Sequence, residues 1–152
     1  MPSDPSPAAA PPALPEPSGM VSRCPGCGAV LAAVPGLEVR HEGASPACTR
    51  LFDVTVRGLR DEAPSDLRAA GVLELAEATY DAQHPLGDDA AALARLRQLL
   101  GDGSAASAVR PEQWTTTVAD VAADLDVVDL PALVRSWSAA VVGDWTGVTT
   151  RR

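Results

Sequence analysis

Lysine is absent from this sequence. Its absence excludes a Schiff-base amine, a phosphate-loop lysine and an ammonium general base together. Aromatic side chains are also scarce, with one Phe, one Tyr and three Trp in 152 residues. A core drawn from them is modest. No apolar run reaches the roughly eighteen residues that a membrane helix needs, so no membrane partner is expected. Positive charge is short as well. A net charge of −8 argues against a nucleic-acid backbone as partner. The start of the chain has neither basic residues nor a continuous apolar stretch, so no secretory signal is read there. Cysteine is limited to Cys24, Cys27 and Cys48. Three cysteines without an export signal point to a reducing, cytoplasmic setting, where they serve as metal ligands or thiols rather than a disulfide framework.

What remains is enough for one ordinary domain. Residues 1–19 carry Pro2, Pro5, Pro7, Pro11, Pro12, Pro15 and Pro17 among Ala and Ser. Such a stretch buries too little apolar surface to offset its ordering entropy, and it is expected to be a disordered tail. The folded domain is expected over 20–147, with 148–152 a second disordered end.

Cys24-Pro25-Gly26-Cys27-Gly28 is the most informative stretch. Two cysteines two residues apart, with Pro and Gly between and after them, bend into a knuckle that aims both sulfurs at one place. Tetrahedral zinc uses this half-site. Ala29 to Val34 and Leu37 to His41 flank Pro35-Gly36, which suggests a short β-hairpin after the knuckle. The rest reads as helical. Ser45-Pro46 supplies an N-cap and a first-turn proline. Cys48, Leu51, Phe52, Thr55 and Leu59 follow at helical spacing. A second helix is expected from about Asp66 to Gln83, capped by Ser65. It carries Val72, Leu75, Ala76 and Thr79 on one face and Leu73, Tyr80 and His84 on the next. Pro85 stops it at His84. A third helix starts at Asp88 or Asp89, exposes Leu93, Leu96 and Leu100 to the core, and stops at Gly101. Thr117-Val118-Ala119-Asp120 forms a capping box for a short helix to about Asp124. Asp129-Leu130-Pro131 opens the last helix, with Val134, Trp137, Val141 and Trp145 along one side. The fold class is therefore mostly α, a small helical domain with an N-terminal zinc-knuckle turn and a short hairpin.

Few residues remain to complete a metal site. Cys48 falls in the first turn of its helix, where the macrodipole favours the thiolate that a metal needs. His84 is fixed by a helix end and by Pro85. Cys24, Cys27, Cys48 and His84 would close a tetrahedral zinc site. His41 is the competing fourth ligand. One physical point opposes His84, because a helix C-terminus favours imidazolium by about 1 kcal/mol and a metal needs the neutral ring. Without a metal, Cys48 is a small buried hydrophobe and His84 a helix-end residue bonding carbonyls. A redox role for Cys24 and Cys27 needs a helix directly after them, and Gly28 and Pro35-Gly36 stand there instead. Glu42, Glu77 and Asp81 are candidate general bases but fit solvated carboxylates better, and Tyr80 fits packing better than acid chemistry. Trp137 and Trp145 belong to the core or to a partner surface. There is no nucleophile elbow and no metalloprotease helix.

Three signatures, Cys24-Pro25-Gly26-Cys27-Gly28, Ser45-Pro46-Ala47-Cys48 and Tyr80-Asp81-Ala82-Gln83-His84-Pro85, occur in an order that resembles the bacterial domain-of-unknown-function family 5946. The resemblance covers about Arg23 to Trp145. It favours Cys48 and His84, which fall in the motif-bearing segments, and it implies no activity. Two positions depart from the pattern it implies. Ala78 stands where an acidic residue is frequent, and Leu93-Ala94-Arg95-Leu96 stands where a histidine is common. A catalytic use of those positions is lost here, whereas a structural metal tolerates both changes.

Three readings follow from the sequence. The first is a zinc-stapled helical protein without catalysis. The second is a metal-dependent enzyme with water in an open zinc position and Glu42 or Glu77 as base. The third is an interaction module that offers the tryptophan helix and the Pro-rich tail to a protein partner.

Overall fold

Local capping chemistry sets most element boundaries. The computed structural model describes residues 20–34, 36–37, 41–103 and 109–147. The expected tails 1–19 and 148–152, and most of the expected strand over 37–41, lie outside them. Two strands, β1 (Val21–Arg23) and β2 (Val30–Ala32), pair antiparallel with Val21 opposite Ala32 and Arg23 opposite Val30. Six helices follow: α1 (Pro46–Thr55), α2 (Arg57–Glu62), α3 (Leu67–Gln83), α4 (Asp89–Leu100), α5 (Val118–Asp124) and α6 (Leu130–Thr146).

Among the described residues the two strands flank the cysteine knuckle, so the knuckle is itself a hairpin loop, and β2 falls within the expected strand over 29–34. Cys24 N–H donates to Ala29 O at 2.8 Å and Gly28 N–H to Cys24 O at 2.9 Å. Gly28 takes φ +75°, which suits a residue without Cβ. The sequence ran one helix from Ser45-Pro46 through Leu59. The backbone instead leaves α-geometry at Val56, with φ −96° and ψ 3°, and α2 restarts beyond it. Phe52, Val56 and Leu59 are all buried across the break.

Side chains satisfy the orphan N–H groups of the helix starts. Ser45 Oγ accepts from Cys48 N–H at 3.2 Å. Asp66, rather than the expected Ser65, caps α3 by accepting from Arg68 N–H at 2.8 Å. Asp88 caps α4 and Asp129 caps α6. Thr117 and Asp120 form the expected box, with Thr117 N–H donating to Asp120 Oδ2 at 2.8 Å. Gly101 and Gly147 end α4 and α6 in left-handed geometry.

The centre of the fold is α3, which packs against α2, α4 and α6, while α5 joins α1 to α6. Leu67 and Arg68 at its start are exposed, but Ala69, Ala76, Ala78, Thr79, Tyr80, Ala82 and Gln83 are all buried. A helix covered on several sides loses its single apolar stripe. Val72 and Leu75, expected in that stripe, are only half-buried. Small residues at 76, 78 and 82 let the neighbours approach closely. Trp137 and Trp145 on α6 are each 1% exposed. They are core, which removes the tryptophan face from the surfaces open to a partner.

Inside this core Gln83 is fully buried and makes two bonds across the fold. Its Nε2 donates to Thr116 O at 2.7 Å, and its Oε1 accepts from Trp137 Nε1–H at 3.0 Å. Replacing it with an apolar isostere orphans a carbonyl and an indole N–H. Gln83→Leu is expected to cost about 2–3 kcal/mol in denaturant unfolding, with the slope of the transition unchanged.

Candidate metal centre

The knuckle, the start of α1 and the end of α3 meet at one point. Cys24, Cys27, Cys48 and His84 contribute ligand atoms that all lie within 4.8 Å of one another. All four residues are buried, with exposures of 1%, 4%, 0% and 1%. Cys27 Sγ lies 3.8 Å from Cys48 Sγ, and Cys48 Sγ lies 3.5 Å from His84 Nε2. Among the described residues this is the one group of three or more such side chains close enough to hold a metal ion.

The concern about imidazolium at a helix end meets a specific arrangement here. His84 Nδ1 lies 2.7 Å from Tyr80 O, one of the last carbonyls of α3. Nδ1–H donates to that carbonyl, and Nε2 is left to face the sulfurs. A hydrogen bond at one ring nitrogen fixes the tautomer at the other. The helix end thus orients the ring with Nε2 toward the sulfurs. Tyr80 stacks on His84 with centroids 4.0 Å apart, and Phe52 stacks on Tyr80 at 4.2 Å.

Donors surround the sulfurs. Ser45 N–H reaches Cys24 Sγ at 3.4 Å, and Tyr80 O–H donates to Cys48 Sγ at 3.4 Å. Such bonds stabilise negative charge on sulfur. The protonation pattern follows from this crowding. Hydrogen bonds from Cys27 and then Cys48 hold Cys24 far below the thiol range. Cys48 is driven far above it, first by its bond to Cys24, then by Cys27 and by burial. Burial works against a charged His84, but hydrogen bonds to Cys24 and Cys27 outweigh it and push the ring up to about 9. Burial and the bond to Cys48 raise the Tyr80 hydroxyl. A cation entering this cluster displaces protons from the remaining thiols and from Nε2.

His41 stands beside this group and outside it. Its ring centroid is 5.9 Å from that of His84, and its Nδ1 accepts from Gly43 N–H at 3.2 Å. Burial, then the charge on His84, lowers its pKa. Glu42 is exposed.

Several contributors carry no sequence signature of their own. Gly26 lies so close to the α3 terminus that an added Cβ would collide with His84 Cδ2 and sit 2.6 Å from Gly43 O. Gly26 stands at the variable position between the two cysteines, and its reason is a close approach between distant segments. The three indoles also converge here. Trp114 Nε1–H donates to Gly26 O at 2.9 Å, inside the knuckle. Trp145 Nε1–H donates to Ala82 O at 3.1 Å, and Trp137 holds Gln83, the neighbour of His84.

A family model described as "Family of unknown function (DUF5946)" matches residues 22–110, more than half of the chain. The chain belongs to this family. No curated protein and no solved structure matches it. The DUF5946 match contains all four clustered side chains. It ends before Trp114, α5 and α6, although those parts supply the indole bonds to the knuckle and to the end of α3. Among the described residues no helix is long and apolar enough to cross a membrane. In this chain the arrangement is a buried Cys₃His group able to hold a metal ion.

Proposed function

We propose that the protein binds one zinc ion through Cys24, Cys27, Cys48 and His84, and that the ion is a structural staple. The donor spacing carries this reading. Zn–S bonds of ~2.3 Å and Zn–N bonds of ~2.05 Å at tetrahedral angles give S···S edges of ~3.8 Å and S···N edges of ~3.6 Å. The Cys27–Cys48 and Cys48–His84 separations are 3.8 and 3.5 Å. Three thiolates and one imidazole match zinc chemistry, whereas calcium and magnesium take oxygen donors.

Four strong, buried donors leave no position for a reacting water, which favours a staple over a catalytic ion. The ion would join the hairpin, α1 and α3, three segments far apart in sequence. Thiolate ligation also suits a reducing compartment, consistent with a cytoplasmic protein.

Apparent binding free energies of structural zinc in small domains, ~10–16 kcal/mol, rival the whole stability of an ordinary domain, ~5–15 kcal/mol. Elemental analysis of the purified chain is therefore expected to give one zinc per chain. A strong chelator is expected to lower Tm by about 15 °C or more, since each kcal/mol moves Tm by about 3–4 °C at this size. Zinc-free protein that melts at the same temperature with and without chelator would overturn the reading.

A further inference from the structure

Away from the metal centre, two exposed apolar surfaces adjoin the start of α6. The first is a groove of about 680 Å³ between α3, α4 and α6. Leu67, Val72, Leu75 and Leu99 line it. Val72 and Leu75 belong to the apolar stripe read from the sequence, and here that stripe runs out into solvent. Leu67, the first residue of α3, is 91% exposed. Arg68, Arg135 and Glu74 give the groove two guanidiniums against one carboxylate. None of these three forms an ion pair among the described residues, so the groove keeps a net positive charge.

The second surface is a knob, the turn over 125–129 that joins α5 to α6. Leu125, Val127 and Val128 are all exposed there, Val127 at 80%. Single exposed apolar residues are ordinary, whereas a cluster of them marks a contact surface. Asp124, Asp126 and Asp129 interleave with them and make the knob acidic. The turn is ordered, with Val127 N–H and Val128 N–H both donating to Asp124 O at 3.0 Å. A preformed knob gives up little conformational freedom on docking. Knob and groove are complementary, apolar centre to apolar floor and acidic edge to basic edge. They are also neighbours, because the knob leads into α6, and α6 supplies Pro131 and Arg135 to the groove.

From this complementarity we infer that the partner of the surface at the start of α6 is a second copy of the chain, the knob of each copy seated in the groove of the other. A two-fold axis beside the start of α6 lets both contacts form at once, which closes the assembly at two copies. The inference is independent of the metal's identity and of the staple reading, since none of the four clustered ligands belongs to either surface.

Sedimentation equilibrium of the full, metal-loaded chain tests it, from about 10 µM to about 1 mM, the range of small transient interfaces. The expected result is a monomer–dimer equilibrium with no larger species. Val127→Asp puts a charge at the centre of the apolar contact and should weaken the dimer at least about tenfold. Val127 lies in an exposed turn, so metal content and Tm should stay native in that variant. Asp126→Arg and Arg135→Glu should each weaken the dimer, because each sets like charges against one another at both contacts. An equimolar mixture of those two variants should restore it, because both contacts then pair opposite charges. A chain that stays monomeric at about 1 mM overturns the inference. So does a dimer that Val127→Asp leaves intact, or a mixture that dimerises no better than its separate components. Assembly beyond the dimer would overturn the two-fold arrangement.

Discussion

Cys48→Ser is expected to leave the purified chain with far less than one zinc and to lower Tm by about 15 °C, matching chelation of the native chain. Cys48 is fully buried. It contacts Cys27 Sγ, His84 Nε2 and the Tyr80 hydroxyl. A serine hydroxyl is a harder, less acidic donor and reaches less far than sulfur, so the tetrahedron cannot close around zinc. Measurement needs only elemental analysis and a melting curve on the same sample. Chelator should then shift the variant little, because it has little metal to lose. A Cys48→Ser chain with stoichiometric zinc and native Tm would remove Cys48 from the ligand set.

Gly26→Ala tests the site without touching a ligand. The added methyl would collide with His84 Cδ2 and lie 2.6 Å from Gly43 O and 2.9 Å from Gln83 O. Two of those obstacles are backbone, and the third is a ring held by its bond to Tyr80 O. Neither can move aside cheaply, so the knuckle must retreat from α3. Overpacking of this kind costs about 3 kcal/mol, or about 10 °C in Tm, and zinc affinity should fall with it. Gly71→Ala is the control. Gly71 lies within α3, and its added Cβ meets nothing within 4 Å. That substitution should be neutral or stabilise by up to about 1 kcal/mol. If Gly26→Ala and Gly71→Ala behave alike, the close docking of knuckle on helix is not what holds the site.

These two glycines show where sequence reasoning works and where it stops. Features set by neighbours in sequence were legible. Ser45, Asp129 and the Thr117–Asp120 pair cap the helices expected of them, because capping involves residues two or three apart. His84 could be placed at a helix end because Pro85 dictates it. Features set by distant partners were not. Val21 to Arg23 carries no strand signal of its own, and becomes a strand only through its register with Val30 to Ala32. The break at Val56 has no Pro or Gly to announce it. Spacing left Trp137 and Trp145 to the core or to a partner surface, and the fold places both in the core. The hydrogen bond from Trp114 to a knuckle carbonyl joins residues 88 positions apart, and no local pattern encodes it. The convergence of the three cysteines with His84 was likewise an inference from ligand chemistry, and the fold supplies the proximity.

X-ray absorption at the zinc edge of the purified chain addresses the closed Cys₃His centre most directly. The account predicts three sulfurs at ~2.3 Å, one nitrogen at ~2.0–2.1 Å and no oxygen bound to the ion. Two or fewer sulfurs, or a bound water oxygen, would contradict it.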